Sequence, residues 1–312
     1  MKRSRKLAAL GLALVLALVA AACGDDEDGD DDDGGAAPEA PQVSIGAQDF
    51  GESAILAEIY AGALGAEGID VEVVELGGNR ELLFSSLDNG DVNLAPEYAA
   101  SELEFLNDGA GEATGDVGET MDLLEPHLEE RELVALEASD AVDTNAFVVT
   151  QETAEDLGLE SLSDLAENGQ DLTLGAPQDC EENQFCIPGL QRAYDLDLSG
   201  NFVPLDPGLI ATSLEEGEID VGTLFSTDGR IADEGWVLLE DDQQMLAADN
   251  VFPVASQELV DAYGEDLTGV LDQVSAELTT EDLIELNKRF DVDHDDADEI
   301  AADWLADHDL GG

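Results

Sequence analysis

Between Val43 and Asp242, short apolar runs that read as strands alternate with helical patterns, and this alternation restricts the fold more than any other feature. "VSIGAQD" (43–49) leads into "SAILAEIYAGAL", in which Ile55, Leu56, Ile59, Tyr60 and Leu64 recur at helical spacing. "DVEVVEL" (70–76) follows, then a helical pattern from Asn79 to Leu87, then "VNLAPEY" (92–98). "AFVVT", "LTLGAP", "NFVPLD", "VGTLFST" and "WVLLEDD" continue the series. The tail from Glu265 is helical and closes on "DADEIAADWLADHDL". Parallel strands need a crossover, usually a helix, between them. The alternation therefore predicts an α/β protein with mainly parallel sheets flanked by helices.

The chain also echoes itself. "SLDNGDVNL" (Ser86 to Leu94) and "SLEEGEIDV" (Ser213 to Val221) match position by position at an offset of 127. Each lies at the end of a helical pattern, with Gly90 or Gly217 as the stop signal and a strand after it. Each helix is preceded by a glycine-bearing turn, "GGN" in one and "DPG" in the other. The common order of elements predicts two similar α/β lobes. Ligands of such sheets bind beyond the carboxyl ends of the strands, beside helix N-termini. The candidate loops are "AQDFGES", "GGN", "PEYAAS", "DTNAF" and "FSTDGR".

The N-terminus reads "MKRSRKLAALGLALVLALVAAACGDD". Four basic residues precede an apolar run, Leu7 to Ala22, that falls short of the about 20 residues needed to cross a bilayer. Residues 1–22 read as a secretory signal. The small residues before Cys23 resemble a bacterial lipobox, which makes Cys23 the expected acylation site. Residues 23–42 are dominated by Asp, Glu, Gly, Ala and Pro, and such a segment has nothing to bury. It reads as an extended tether between a lipid anchor and the folded chain. The expected location is the extracytoplasmic face of the cell membrane. There the remaining cysteines, Cys180 and Cys186, are expected to form a disulfide. Zinc would require four ligands, and no histidine lies nearby.

Charge excludes one class of partner. Ten basic residues stand against 76 acidic ones, and four of the ten lie in the signal. Nucleic acid needs a basic face, and this chain has none to offer. Such an excess of like charge repels itself in the folded state and is relieved by salt. It fits a saline habitat and a general solubility trait equally well. "DVDHDDADEIAAD" has acids at EF-hand spacing, but Asp296 stands at the glycine position and Ala302 at the bidentate glutamate position, so no metal is expected. The three histidines are scattered, and no serine lies in a G-x-S-x-G setting, so no catalysis is expected.

"VSIGAQDFGESAILAEIYAGAL", "GDVNLAPEY", "LFSTDGRI", "WVLLEDDQQ" followed by "VFPV", and "LNKRFDVD" resemble the osmoprotectant-binding proteins of ABC importers, the binders of glycine betaine, choline and related quaternary amines. The resemblance runs from Val43 to Leu310. It implies a two-lobed, type II-like periplasmic-binding-protein fold with a hinge. On that pattern the first lobe comprises residues 43–144 and 251–312, and the second comprises 145–250. It also implies a permease and an ATPase as partners, an osmolyte as ligand, and no cofactor.

The family's cleft holds a cationic head in an aromatic cage. The resemblance puts Tyr98 at one cage position, with Ser101 at the end of the same motif. Phe225 and Asn145 stand where tyrosines are usual, Asp143 matches an aspartate, and Ala211 replaces a further cage tyrosine. Gln48, in the loop that also carries Phe50, stands where a lysine is common. Asn79, Thr227 and Asp228 complete the expected ligand set, although Asn79 also reads as a helix N-cap and Asp228 as an ion-pair partner of Arg230. The Cys180–Cys186 staple either carries Phe185 toward the cleft or only stiffens its loop. Other readings remain open: a different small ligand such as an amino acid or polyamine, a sensory receptor, or an enzyme on the same fold.

Overall fold

The computed structural model describes residues 40–77 and 80–311. The signal, Cys23, the tether as far as residue 39, and Asn79 lie outside the described residues. Two five-stranded sheets organise the rest. The first contains β1 (Val43–Ala47), β2 (Val71–Glu75), β3 (Leu94–Tyr98), β4 (Leu133–Ala135) and β10 (Val251–Ser256), in the order β2-β1-β3-β10-β4. The second contains β5 (Asn145–Val149), β6 (Leu174–Ala176), β7 (Phe202–Pro204), β8 (Val221–Phe225) and β9 (Val237–Leu238), in the order β7-β6-β8-β5-β9.

The sheets share one topology. In the first, β1 runs parallel to β2 and β3, while β10 runs antiparallel to β3 and β4. In the second, β6 runs parallel to β7 and β8, while β5 runs antiparallel to β8 and β9. Four strands of each sheet thus point one way, and one strand, β10 or β5, is inserted against them. The inserted strands follow directly on the two places where the chain passes between sheets. Val142 and Asn250 form a bridge at this double crossing, and Asp143 N–H donates to Asp249 C=O at 3.1 Å.

The internal echo is structural. Asp91 N–H donates to Ser86 C=O at 2.9 Å, and Glu218 N–H donates to Ser213 C=O at 2.9 Å. Gly90 and Gly217 take the left-handed conformation, at φ +72 and +70, that closes a helix before a strand. The Asn93 side chain accepts from Ser44 N–H, and Asp220 accepts from Thr173 N–H, each at 2.8 Å. One helix-to-strand joint is therefore built twice with the same hydrogen bonds.

Successive residues of each strand go to opposite faces, so each sheet supports two apolar layers. In β5, Phe147 and Val149 join one buried cluster, and Ala146 and Val148 join the other. In the first sheet, Val43, Ile45 and Ala47 face a cluster with Ile55, Ile59 and Tyr60 of the Gly51–Ala66 helix. Trp304 and Leu305 of the last helix, Ala297–Asp307, complete that layer.

β10 and β4 lie outside the run of strands expected from the sequence. β10 is almost entirely buried and carries Pro253, a residue that argues against a central strand. The structure accommodates it because Pro253 faces Pro96 on β3, and its carbonyl accepts from Leu136 N–H just where β4 ends. The missing N–H therefore points at a strand too short to need it.

Cys180 and Cys186 are bonded, with their Cα atoms 5.2 Å apart. Both are buried in one cluster of the second sheet, beside Ile187, Leu190 and Tyr194. Replacing both with serine should lower stability by about 2 kcal/mol in a denaturant titration, the loop-closure value for so short a loop.

Candidate ligand-binding cleft

A cleft of about 480 Å³ opens between the sheets. The first turn of the Ala99–Leu106 helix supplies Ala100 and Ser101 to one wall. The stapled loop supplies Glu182 to Phe185, and the carboxyl end of β8 supplies Phe225. Thr144, Asn145, Ala247 and Asp249 come from the two crossing segments. The cleft thus lies where α/β sheets place ligands, at strand ends and beside a helix N-terminus. Phe225 is the one exposed residue of an otherwise buried strand, with 57% of its surface open. Phe185 is half-buried, lines the same cleft, and packs on the apolar cluster around Phe84 and Leu103 of the first sheet. The staple therefore holds a ring that bridges the two halves.

Behind this opening a knot of buried polar groups joins the halves. Tyr98 OH donates to Glu52 Oε1 at 2.6 Å, and Asn287 Nδ2 donates to Glu52 Oε2. Thr227 Oγ lies 2.8 Å from both Glu52 Oε2 and Asp143 Oδ1. A hydroxyl has one proton to give, so it cannot donate to both carboxylates. One of the two acids must carry a proton and donate it to Thr227. Glu52 already accepts from Tyr98 and Asn287, which favours its ionised form. Asp143 is therefore the protonated partner. Burial, followed by the nearby Glu52 charge, pushes the Asp143 carboxyl well above its ordinary value. Burial also raises Glu52, against the hydrogen bonds that hold it down. Asn287 Nδ2 donates to the Thr227 carbonyl as well, at 3.1 Å. Beside the knot, Gly229 packs so closely that an added β-carbon would lie 2.4 Å from Lys288 Cα. Only glycine fits there.

A second buried group supports the first sheet's side of the cleft. The Arg80 guanidinium grips the fully buried Glu97 through Nε and Nη2, the latter at 2.8 Å. Glu97 also accepts from Gln48 Nε2 and from Tyr98 N–H. Glu102 is fully buried, with neither oxygen hydrogen-bonded among the described residues. Burial and the Glu97 charge push it well above its ordinary value, so it sits neutral.

The expected site residues divide in two. Ser101, Asn145 and Phe225 come together in the cleft, with the Ser101 N–H and hydroxyl both donating to Asp249. Gln48, Tyr98, Asp143 and Thr227 have their polar groups satisfied by protein partners instead, because each is too buried to leave one unpaired. Tyr98 is 5% exposed, and its ring lies 6.2 Å from that of Phe50, which is 44% exposed. Asp228 caps the Gly229–Asp233 helix and pairs with Arg230. Ala211 is buried with Ile210 and Leu214 behind β5 and does not line the described cleft. Glu52, Glu97, Asp249 and Asn287 are not among the residues expected from the sequence. A signal existed for Glu52, which sits in phase with Ile55, Leu56 and Ile59 on the buried stripe of its helix. In a chain with 76 acids, one more glutamate is not distinctive.

Residues 41–307 match the family described as the substrate binding domain of the ABC-type glycine betaine transport system. The chain belongs to this family. The family is a transport component, not a class of enzyme. The carnitine transport binding protein OpuCC of Listeria monocytogenes is 27% identical over 267 residues, spanning 84% of this chain and 85% of that protein. The glycine-betaine-binding protein of Pseudomonas aeruginosa is 27% identical over 293 residues, spanning 87% and 89%. A solved structure of a glycine betaine/carnitine/choline ABC transporter protein superposes with a TM-score of 0.77 at 25% identity, covering 87% of this chain and 100% of that one. The two-sheet architecture is therefore the two-lobed fold of this substrate-binding family.

The proton held by Asp143 has a consequence for stability. The folded state binds it more tightly than the unfolded chain, whose carboxyl titrates at the ordinary value of 3.8. The stabilisation is complete below that value and is lost as pH rises toward the folded one. Asp143→Asn needs no proton. Its stability relative to the natural chain should grow by up to about 1.4 kcal/mol per pH unit as pH rises from about 4, measured by paired denaturant titrations.

Proposed function

We propose that the protein is an extracytoplasmic receptor, anchored through Cys23, that delivers glycine betaine or a related osmoprotectant to an ABC permease and its ATPase. The observation that carries this reading is the exposed Phe225 ring facing an acidic cleft between the lobes of a glycine betaine-family fold. A quaternary ammonium has no N–H to donate. It is recognised through aromatic faces and negative charge, and each ring contributes about 0.5–2 kcal/mol. Phe225 and Phe185 offer faces from the second lobe, and Asn145 offers a neutral polar group to the rest of the solute. The double crossing beside the cleft is the hinge about which the lobes close on the ligand. The permease then reads the closed form.

Among the described residues no helix is long and apolar enough to cross a membrane. Attachment accordingly rests on the acylated cysteine and the acidic tether. A single chain holds only marginally, and stable retention takes two or more. Cys23→Ser should shift the protein from the membrane fraction to the medium when the full precursor is expressed in a bacterium that processes lipoproteins. Calorimetric titration with glycine betaine, choline and carnitine tests the ligand class. Phe225→Ala should weaken binding of the preferred amine by several-fold to about thirtyfold, the equivalent of one aromatic face, at unchanged thermal stability. Silence toward every quaternary amine would remove the osmoprotectant reading.

A further inference from the structure

We infer that Asp249 is the counter-charge for the bound solute, and that it makes the cleft selective for a net cation over a zwitterion. This deepens the receptor reading above and rests on it. Asp249 lies on the returning crossing, one residue before the bridge at Asn250, and its side chain lines the cleft. Ser101 holds it from both sides. The Ser101 N–H donates to Oδ1 at 2.8 Å, and Ser101 Oγ donates to Oδ2 at 2.5 Å. Both donors belong to the first turn of one helix, so the carboxylate has one orientation. A carboxylate accepts about four hydrogen bonds, and this one has two, so about half its capacity remains for the cleft. Phe225 and Phe185 come from the other lobe and line the same space.

The remaining charges in the cleft have the same sign. Glu104 and Glu182 line it, and neither lysine nor arginine is among its described lining. Burial pushes the Asp249 carboxyl up, while the two Ser101 hydrogen bonds and the Arg80 guanidinium, itself spent on Glu97, hold it down toward the charged form. A trimethylammonium group is attracted by this arrangement and needs no hydrogen bond from it. A carboxylate on the same small solute would meet three acids in the lining, while Arg192, outside the lining, is spent on the Gln184 side chain and carbonyl. A neutral hydroxyl can instead be met by the Asn145 amide, which both donates and accepts. The geometry therefore fits an amino-alcohol cation of the choline type better than a betaine.

Calorimetry on the intact folded chain decides the matter, with choline, glycine betaine and 3,3-dimethylbutan-1-ol, the uncharged isostere of choline. The natural protein should bind choline at least tenfold more tightly than either other solute. Asp249→Asn, which keeps the shape and can still accept from Ser101, should lose at least tenfold for choline and much less for glycine betaine. Equal or tighter binding of glycine betaine by the natural protein overturns the selectivity, and this arm needs no variant. Undiminished choline binding by a folded Asp249→Asn protein overturns the assignment to Asp249. If no quaternary amine binds the natural protein, the receptor reading falls and this inference with it. Binding without charge preference removes this inference alone.

Discussion

The structure turns on one shared proton. Glu52, Thr227 and Asp143 lie together out of water, where two ionised carboxylates on one hydroxyl could not both be stabilised. With the proton on Asp143, every polar contact in the knot has a donor and an acceptor. Tyr98 and Asn287 complete the set from the first lobe, and Thr227 enters from the second. The knot sits beside the crossing strands and ties the two sheets together there. A buried group missing a partner here would destabilise the joint as a whole.

Around that joint, stability rests on apolar layers rather than ion pairs. Six basic residues after Cys23 cannot neutralise 76 acids. Three of the basic residues, Arg131, Arg230 and Arg289, form pairs that are partly exposed, and such pairs contribute little. Arg80 differs, since it neutralises the fully buried Glu97 and orients the strand leading to Tyr98. The same acidity reaches into the cleft, whose lining includes Glu104, Glu182 and Asp249.

The repeated topology explains why the cleft lies where it does. Both sheets insert one antiparallel strand beside the third member of a parallel trio. That insertion brings β3 and β10 of one lobe, and β8 and β5 of the other, to the double crossing. The end of β8 and the helix that follows β3 then face one another. Phe225 and Ser101 meet in the cleft for this reason, although 124 positions separate them in the sequence.

Much of this was legible from residue order. Periodicity placed the strands from β1 to β9 except the short β4, and the nine-residue echo marked a joint that is built twice with the same hydrogen bonds. The paired cysteines were likewise a local feature. Phe225, Ser101 and Asn145 were named through a family resemblance and do line the cleft. Tertiary structure alone decided the rest. Pro253 concealed a central strand because its tolerance depends on where β4 ends. Glu52, Glu97 and Asp249 were hidden among 76 acids, because composition cannot tell a solvated carboxylate from a buried one. Local sequence sets the direction in which a chain runs and turns. Only packing at the double crossing determines which carboxylate keeps its proton and which is tied to serine in the cleft wall.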